Sequence, residues 1–262
     1  MKGSAPGTGI YGNLEDLADQ TITLKVVKWL IVGIIFSLLS IVINAYSWKL
    51  LINSIGCNSD ALDIIKIFIN TNIYKYFPGG IWHFISRYNN LRHKLSTEKA
   101  VESILLEPLL MLVSGLIYIP FRSFNIYIYI ICWSSTLIFL PRFREFIITK
   151  LKVMKASIFN RNDKRNFRNS VHNNQNISKK IFYPYKPLFV EIIFILFRFS
   201  GFLCCINAFS IGELLSLGEL ISCFSLAWII GFIVPAAPSG IGVFEAVILL
   251  TLGSKFPEAP LL

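Results

Sequence analysis

The chain has 262 residues, 54% hydrophobic, 14% aromatic and only 15% charged, and its mean hydropathy of +0.61 is too apolar for a soluble domain of this length. Its apolar residues come in long runs that need lipid around them, which excludes a secreted disulfide scaffold, a disordered tail and a cytosolic enzyme with one buried core. The formal net charge is +10, and Pro141 to Lys180 alone carries 11 basic residues against two acids, so nearly all of the excess sits in one stretch.

Residues 1–25 are polar and lack the early apolar region of a cleavable signal; the first apolar run, Val26 to Leu51, is longer than such a region and is expected to remain as an anchor. Gly7-Thr8-Gly9-Ile10-Tyr11-Gly12 matches the spacing of a dinucleotide loop, but only six residues precede it and no strand can feed it. A helix needs about 20 apolar residues to cross about 30 Å of hydrocarbon. Runs of about that size are Val26 to Leu51, Ala100 to Ile119, Phe124 to Leu140, Phe182 to Ala208 and Glu213 to Val234, with Pro120, Pro141 and Pro235 closing three of them.

Two further segments read as broken helices. Ala61 to Phe77 runs into Pro78-Gly79-Gly80, and Glu213 to Val234 runs into Pro235 to Glu245, after which a short apolar helix starts at Ala246. The expected fold is an all-α membrane protein, a polytopic helical bundle of about 5–7 membrane segments with two broken or re-entrant Pro/Gly segments. Its parts are a polar N-terminal segment (1–25), a transmembrane domain (26–252) and a C-terminal tail (253–262).

The positive-inside rule places the basic stretch 141–181 in the cytoplasm of a multi-pass protein of the plasma (inner) membrane. Counting back two spans puts Ile85 to Lys99, with Arg87, Arg92, Lys94 and Lys99 against Glu98, on the same side. Counting forward two spans returns Pro235 to that side as well. Whether Ala61 to Phe84 crosses or dips and returns decides the side of the N-terminus. The basic stretch reads as a solvated topology determinant that touches anionic headgroups. Nucleic acid is not an expected partner, because no recognition fold or aromatic platform accompanies the charge.

Cys57, Cys132, Cys204, Cys205 and Cys223 form no CxxC pair, and His83, His93 and His172 form no HExxH, so neither a metal site nor a cofactor is expected. Helix breakers within a bilayer are tolerated where protein or a water-filled cavity satisfies the freed backbone. Pro78-Gly79-Gly80-Ile81 and Pro238-Ser239-Gly240-Ile241 are alike, and each leads within nine residues to a charge, Arg87 or Glu245. Paired breaks of this kind point to a transporter-type site, or to two unrelated loops at the interface. Glu107, Glu191 and Arg198 are ionisable groups within spans, each costing about 2.5–3.5 kcal/mol at a helix centre without a partner. Glu191 and Arg198 lie seven residues apart, about 10 Å along one helix face, too far to pair directly. Each seeks an interhelical partner or a polar substrate. Tyr74, Tyr76 and Trp82 read as interface aromatics.

Tyr76 to His83 and on to Arg87, Glu107-Pro108-Leu109, and Pro238-Ser239-Gly240-Ile241-Gly242-Val243-Phe244-Glu245-Ala246 together resemble the lysylphosphatidylglycerol synthase transmembrane-region family of flippase-like proteins. The resemblance covers roughly residues 26 to 252. It implies a polytopic bundle with re-entrant segments whose characterised relatives move an aminoacylated phospholipid between leaflets. In bifunctional relatives lysyl transfer belongs to a separate soluble domain, and no room for one follows Glu245, so synthase activity is not expected; an intramembrane transferase is the weaker further reading, since the span carboxylates come with no nucleophile–base spacing or metal motif, and no catalytic residue is assigned.

The expected function is translocation or binding of a phospholipid or lipid-linked headgroup; the alternative is a non-transporting accessory subunit of an envelope glycan or lipid biosynthesis complex. The expected substrate-binding residues are Pro78, Gly79, Gly80, His83, Arg87, Glu107, Arg198, Pro238, Gly240, Gly242 and Glu245. Membrane lipids are the expected partners, joined by a membrane protein or a second copy of the chain.

Overall fold

The computed structural model describes residues 24–57, 61–77, 81–122, 125–140, 183–209, 215–234 and 238–252. The dinucleotide-loop lookalike, Pro78-Gly79-Gly80 and the basic stretch 141–181 lie outside the described residues. All regular structure within them is helical: α1 (Leu24–Ser54), α2 (Ala61–Asn72), α3 (Trp82–Leu91), α4 (Thr97–Leu116), α5 (Ile126–Ser134), α6 (Tyr185–Ala208), α7 (Leu217–Ile233) and α8 (Val243–Leu252). Short 3-10 turns at Ile73–Tyr76, Ile119–Arg122, Ser135–Phe139 and Pro238–Gly240 extend or join them.

Among the described residues three helices are long and apolar enough to span a bilayer: Leu24–Ser54, Lys99–Arg122 and Tyr185–Ala208. The other two expected spans are shorter. Phe124 to Leu140 forms only the nine residues of α5 and a five-residue 3-10 turn, and α7 has 17 residues. A Ser216–Glu219 capping box sets the start of α7 by satisfying backbone donors that the first turn leaves open.

The central pair is α1 against α6, which run antiparallel in close contact. Between apolar helices in lipid, small residues permit the backbone approach on which packing depends. Gly33 and Gly201 face each other so closely that a Cβ on either would stand 3.2 Å from the other's carbonyl oxygen. Fourteen residues further along α1 and fourteen back along α6, the Ser47 hydroxyl donates to the Pro187 carbonyl at 3.0 Å. These two contacts define the register. Gly33, Ser37, Ser40, Asn44 and Ser47 recur at alternating spacings of four and three, a polar and small seam in an apolar helix. The opposite face of α1, including Ile31, Ile34, Ile35 and Leu38, is exposed, as a lipid-facing surface requires.

The segment Ala61 to Leu91 enters and leaves at one end of the bundle. Asp63 in the first turn of α2 is ion-paired with Lys94 just beyond α3, and Lys99 Nζ donates to the Gly56 carbonyl at 2.8 Å. It is therefore a re-entrant hairpin, and Leu24 lies at the opposite end of α1. Phe139 and Tyr183, which flank the basic stretch, join the same end: their rings meet edge to face, and Phe139 packs in one cluster with Ile52, Leu91, Ala100 and Leu188. The described residues that flank 141–181 thus share one end of the bundle with the segment Ile85 to Lys99, although Arg87 is fully buried and adds nothing to the solvated charge there.

The second hairpin opens at the other end. Its start, at α7, packs on the Ile119–Arg122 turn, where the Ser222 hydroxyl donates to the Ile119 carbonyl, and α8 folds back along α7. Pro235 lies outside the described residues, but α8 packs back along α7, so these two helices form a hairpin and not one further crossing toward the basic end. The two hairpin turns, Ile73–Tyr76 and Pro238–Gly240, lie against each other.

The Lys94 ammonium, beside Asp63 and hydrogen-bonded to it, holds that carboxyl below its usual range. A depressed folded-state value contributes stability that is present above the unfolded-chain pKa, about 4, and is lost as pH falls below it. The pair is solvent-exposed, so its share is small. Acid titration of Asp63→Asn is expected to show a slightly shallower loss of thermal stability below pH about 4 than the wild-type protein.

Candidate functional site

The α2–α3 hairpin carries a buried guanidinium. Arg87 on α3 is 0% exposed and forms an ion pair with Glu107 on α4, itself 4% exposed. Its Nε donates to Thr71 Oγ1 at 3.2 Å, and Thr71 in turn donates to the Ile67 carbonyl of its own helix. Below the guanidinium lies an aromatic floor: its carbon stands 3.9 Å from the Phe68 ring centroid and 5.1 Å from that of Trp48. A planar, weakly hydrated cation suits such a face, where an ammonium would lose more hydration. One donor, Nη2, is buried with no partner among the described residues.

Position on the hairpin follows from sequence. Residues 68 and 71 of α2 share a face at helical spacing, and Trp48 reaches them from the buried side of α1. Pro108, directly after Glu107, lacks the N–H that would bond the Ile104 carbonyl, a break the surrounding helices tolerate.

More charges approach from the neighbouring elements. Lys75 in the hairpin turn interacts electrostatically with Arg87 and Arg198 and with Glu107 and Glu191. Glu191 on α6 is 1% exposed, and its Oε1 has no partner among the described residues. Arg198, two turns on, faces Tyr76 of the turn, and its buried Nε is likewise without a partner among them. Together Lys75, Arg87 and Arg198 face Glu107 and Glu191, an excess of one positive charge if all are ionised.

Of the residues expected at the site, the structure brings together Arg87, Glu107 and Arg198, with His83 on the same short helix as Arg87. His83 is buried, its ring lies 3.8 Å from that of Phe84, and its Nδ1 has no partner among the described residues. The Pro238–Gly240 turn lies beside the Ile73–Tyr76 turn of the first hairpin. Gly240, at φ +79°, sits where a Cβ would stand 2.9 Å from the Gly231 carbonyl oxygen of α7.

Glu245 does not join the charge cluster. It is exposed, and its Oε2 accepts the Gly242 N–H at 2.7 Å, so it caps the first turn of α8. Gly242, at φ +84°, supplies the left-handed turn that this cap needs. Thr71, Phe68 and Trp48 were not legible as site residues: a threonine and two aromatics on apolar helices are ordinary core residues until the hairpin closes. Lys75, beside the Pro/Gly break, and Glu191, an unpaired acid in a span, did carry a signal.

The family profile described as lysylphosphatidylglycerol synthase TM region matches residues 12–262. The chain belongs to this family. It is an integral membrane protein of a lipid-handling family, and the helical bundle, the apolar spans and the two hairpins are the form that membership takes here. A comparison with curated proteins finds no match.

Proposed function

We propose that this member of the lysylphosphatidylglycerol synthase TM region family binds the anionic headgroup of a phospholipid, or of a lipid-linked precursor, between its two hairpins and passes it from one leaflet to the other. The observation that carries the reading is Arg87: a fully buried guanidinium, clamped by Glu107, Thr71 and two aromatic rings, with one donor left over. A buried charged donor without an acceptor is costly, and a phosphate oxygen is the acceptor that a guanidinium fork fits best.

Lys75 and Arg198 add positive potential beside it, and the headgroup would travel while acyl chains stay in lipid. The chain acts without chemistry on its substrate, and the basic stretch 141–181 faces the cytoplasm of the plasma membrane, in keeping with the end of the bundle that its flanking residues share with the segment Ile85 to Lys99. Membrane lipids are its partners.

In proteoliposomes carrying a headgroup-labelled phosphatidylglycerol, the wild-type protein is expected to expose inner-leaflet label to an outside quencher. Arg87→Ala and Arg198→Gln, checked for insertion, are expected to slow this by about tenfold or more, since a hydrogen bond to a charged group contributes about 1.5–3 kcal/mol. Wild-type rates in both variants would remove the assignment. If the wild-type protein itself moves no label, the accessory-subunit reading takes its place.

A further inference from the structure

Among the described residues the charge cluster holds three cations and two carboxylates, and one of the carboxylates has no ion pair with a described cation. Glu107 holds Arg87. Glu191 is more deeply buried than Glu107, and its Oε1 has no hydrogen-bond partner among the described residues. The groups that face it come from every neighbouring element: Ser47 from α1, Glu107 from α4, Arg87 from α3 and Lys75 from the hairpin turn, while Arg198 lies two turns away on its own helix.

The α1–α6 register adds one more. With Ser47 opposite Pro187 and Gly33 opposite Gly201, Asn44 stands level with Glu191, and its Oδ1 is also buried and without a partner among the described residues. Its amide nitrogen is turned the other way, 4.0 Å from the Met111 sulfur. Two buried acceptor oxygens, one of them on a carboxylate, therefore lie at the same level with no donor to either among the described residues. Such a pair is costly while both oxygens remain acceptors only.

We infer that Glu191 is a proton-binding site coupled to occupation of the headgroup site. The inference rests on the anionic-headgroup reading. Lys75 is the cation that Glu191 and an incoming phosphate must share. When the phosphate engages Lys75 beside Arg87, Glu191 loses its counter-charge and takes one proton from a hydronium ion of the bulk solvent, turning a carboxylate acceptor into a donor for Asn44 Oδ1. One O–H bond of hydronium breaks, its electron pair staying on the water released, as one O–H bond forms on Glu191. When the headgroup leaves, Lys75 returns and the proton is released. Linkage makes this reciprocal: a proton on Glu191 strengthens headgroup binding by the factor by which the headgroup strengthens proton binding. A proton gradient could then drive the headgroup across.

The test uses the purified full chain in nanodiscs of zwitterionic lipid, with short-chain phosphatidylglycerol as the probe, because its phosphodiester stays a monoanion across the neutral range. Binding is followed in weak buffer with a pH indicator. The wild-type protein is expected to take up about one proton per lipid bound, and its affinity is expected to fall by up to about tenfold per pH unit as pH rises.

Glu191→Gln, which mimics the protonated group in size and donor capacity, is expected to bind at neutral pH at least as tightly as the wild type, with no proton uptake and no pH dependence. Glu191→Asp is expected to restore both. Wild-type binding without proton uptake overturns the inference and leaves the headgroup site standing. Undiminished uptake in Glu191→Gln overturns it in favour of His83, a buried imidazole of the first hairpin. If phosphatidylglycerol does not bind at all, the headgroup reading fails and the inference falls with it.

Discussion

Glu107→Ala is expected to lower the unfolding free energy by about 3–5 kcal/mol, because it leaves the Arg87 guanidinium buried and uncompensated. Few single changes in the chain should cost more. Arg87 has no exposed surface through which water could replace the lost carboxylate, and the Phe68 and Trp48 rings offset only part of the charge. Replacing both partners with apolar side chains of similar volume, Arg87→Met with Glu107→Leu, is expected to leave stability close to wild type or slightly above it.

Thermal unfolding in detergent, followed through intrinsic tryptophan fluorescence, checks both. The pair of results also separates folding from function. A double variant that inserts and melts normally but does not bind headgroup assigns the ion pair to recognition. A double variant as unstable as Glu107→Ala would mean that the pair is a structural clamp between the first hairpin and α4.

The second large effect is expected at the contact between the hairpins. Gly240→Ala introduces a Cβ 2.9 Å from the Gly231 carbonyl oxygen and 3.1 Å from its Cα, so the obstruction is backbone and cannot rotate away. The residue also keeps a left-handed conformation that L side chains resist by about 1–2 kcal/mol, and overpacking adds about 1–3 kcal/mol. Gly242→Ala is the internal control. It shares the positive φ, but nothing lies within 4 Å of its added Cβ, so only the conformational part of the penalty applies. Melting temperatures should therefore rank wild type above Gly242→Ala above Gly240→Ala. A cysteine pair at Tyr76 and Ser239 should cross-link less readily in the Gly240→Ala background, since the Pro238–Gly240 turn must move away from α7 and with it from the first hairpin. Equal melting temperatures for the two glycine variants would show that the close approach to Gly231 is not under constraint.

Composition and hydropathy were enough to place this chain in a bilayer as a helical bundle, because a run of apolar residues has no alternative solvent and a helix no alternative way to satisfy its backbone there. The Pro/Gly segments were legible as breaks for the same local reason, and the acids and arginines within spans as groups needing partners. Which partners they found was not legible. Arg87 reads in the sequence both as a charge of the basic segment Ile85 to Lys99 and as a substrate-binding residue; the hairpin buries it completely, and of the candidate counter-charges Glu107 is the acid it faces. Glu245 had the opposite history: a charge after a break looked like the counterpart of Arg87, but a short-range bond to Gly242 satisfies it within its own turn.

The number of crossings, similarly, depends on whether a helix continues or folds back, and that is decided by contacts between segments far apart in the chain. The turn at Ile73–Tyr76 rests on Pro238–Gly240 across more than half of the sequence. Local sequence determined where the helices break and that the breaks must be sheltered from lipid. Only tertiary packing decided that the two hairpins enter from opposite ends, that their turns shelter each other, and that Lys75, Arg87 and Arg198 end up facing Glu107 and Glu191, because burial and pairing depend on what the rest of the chain places alongside.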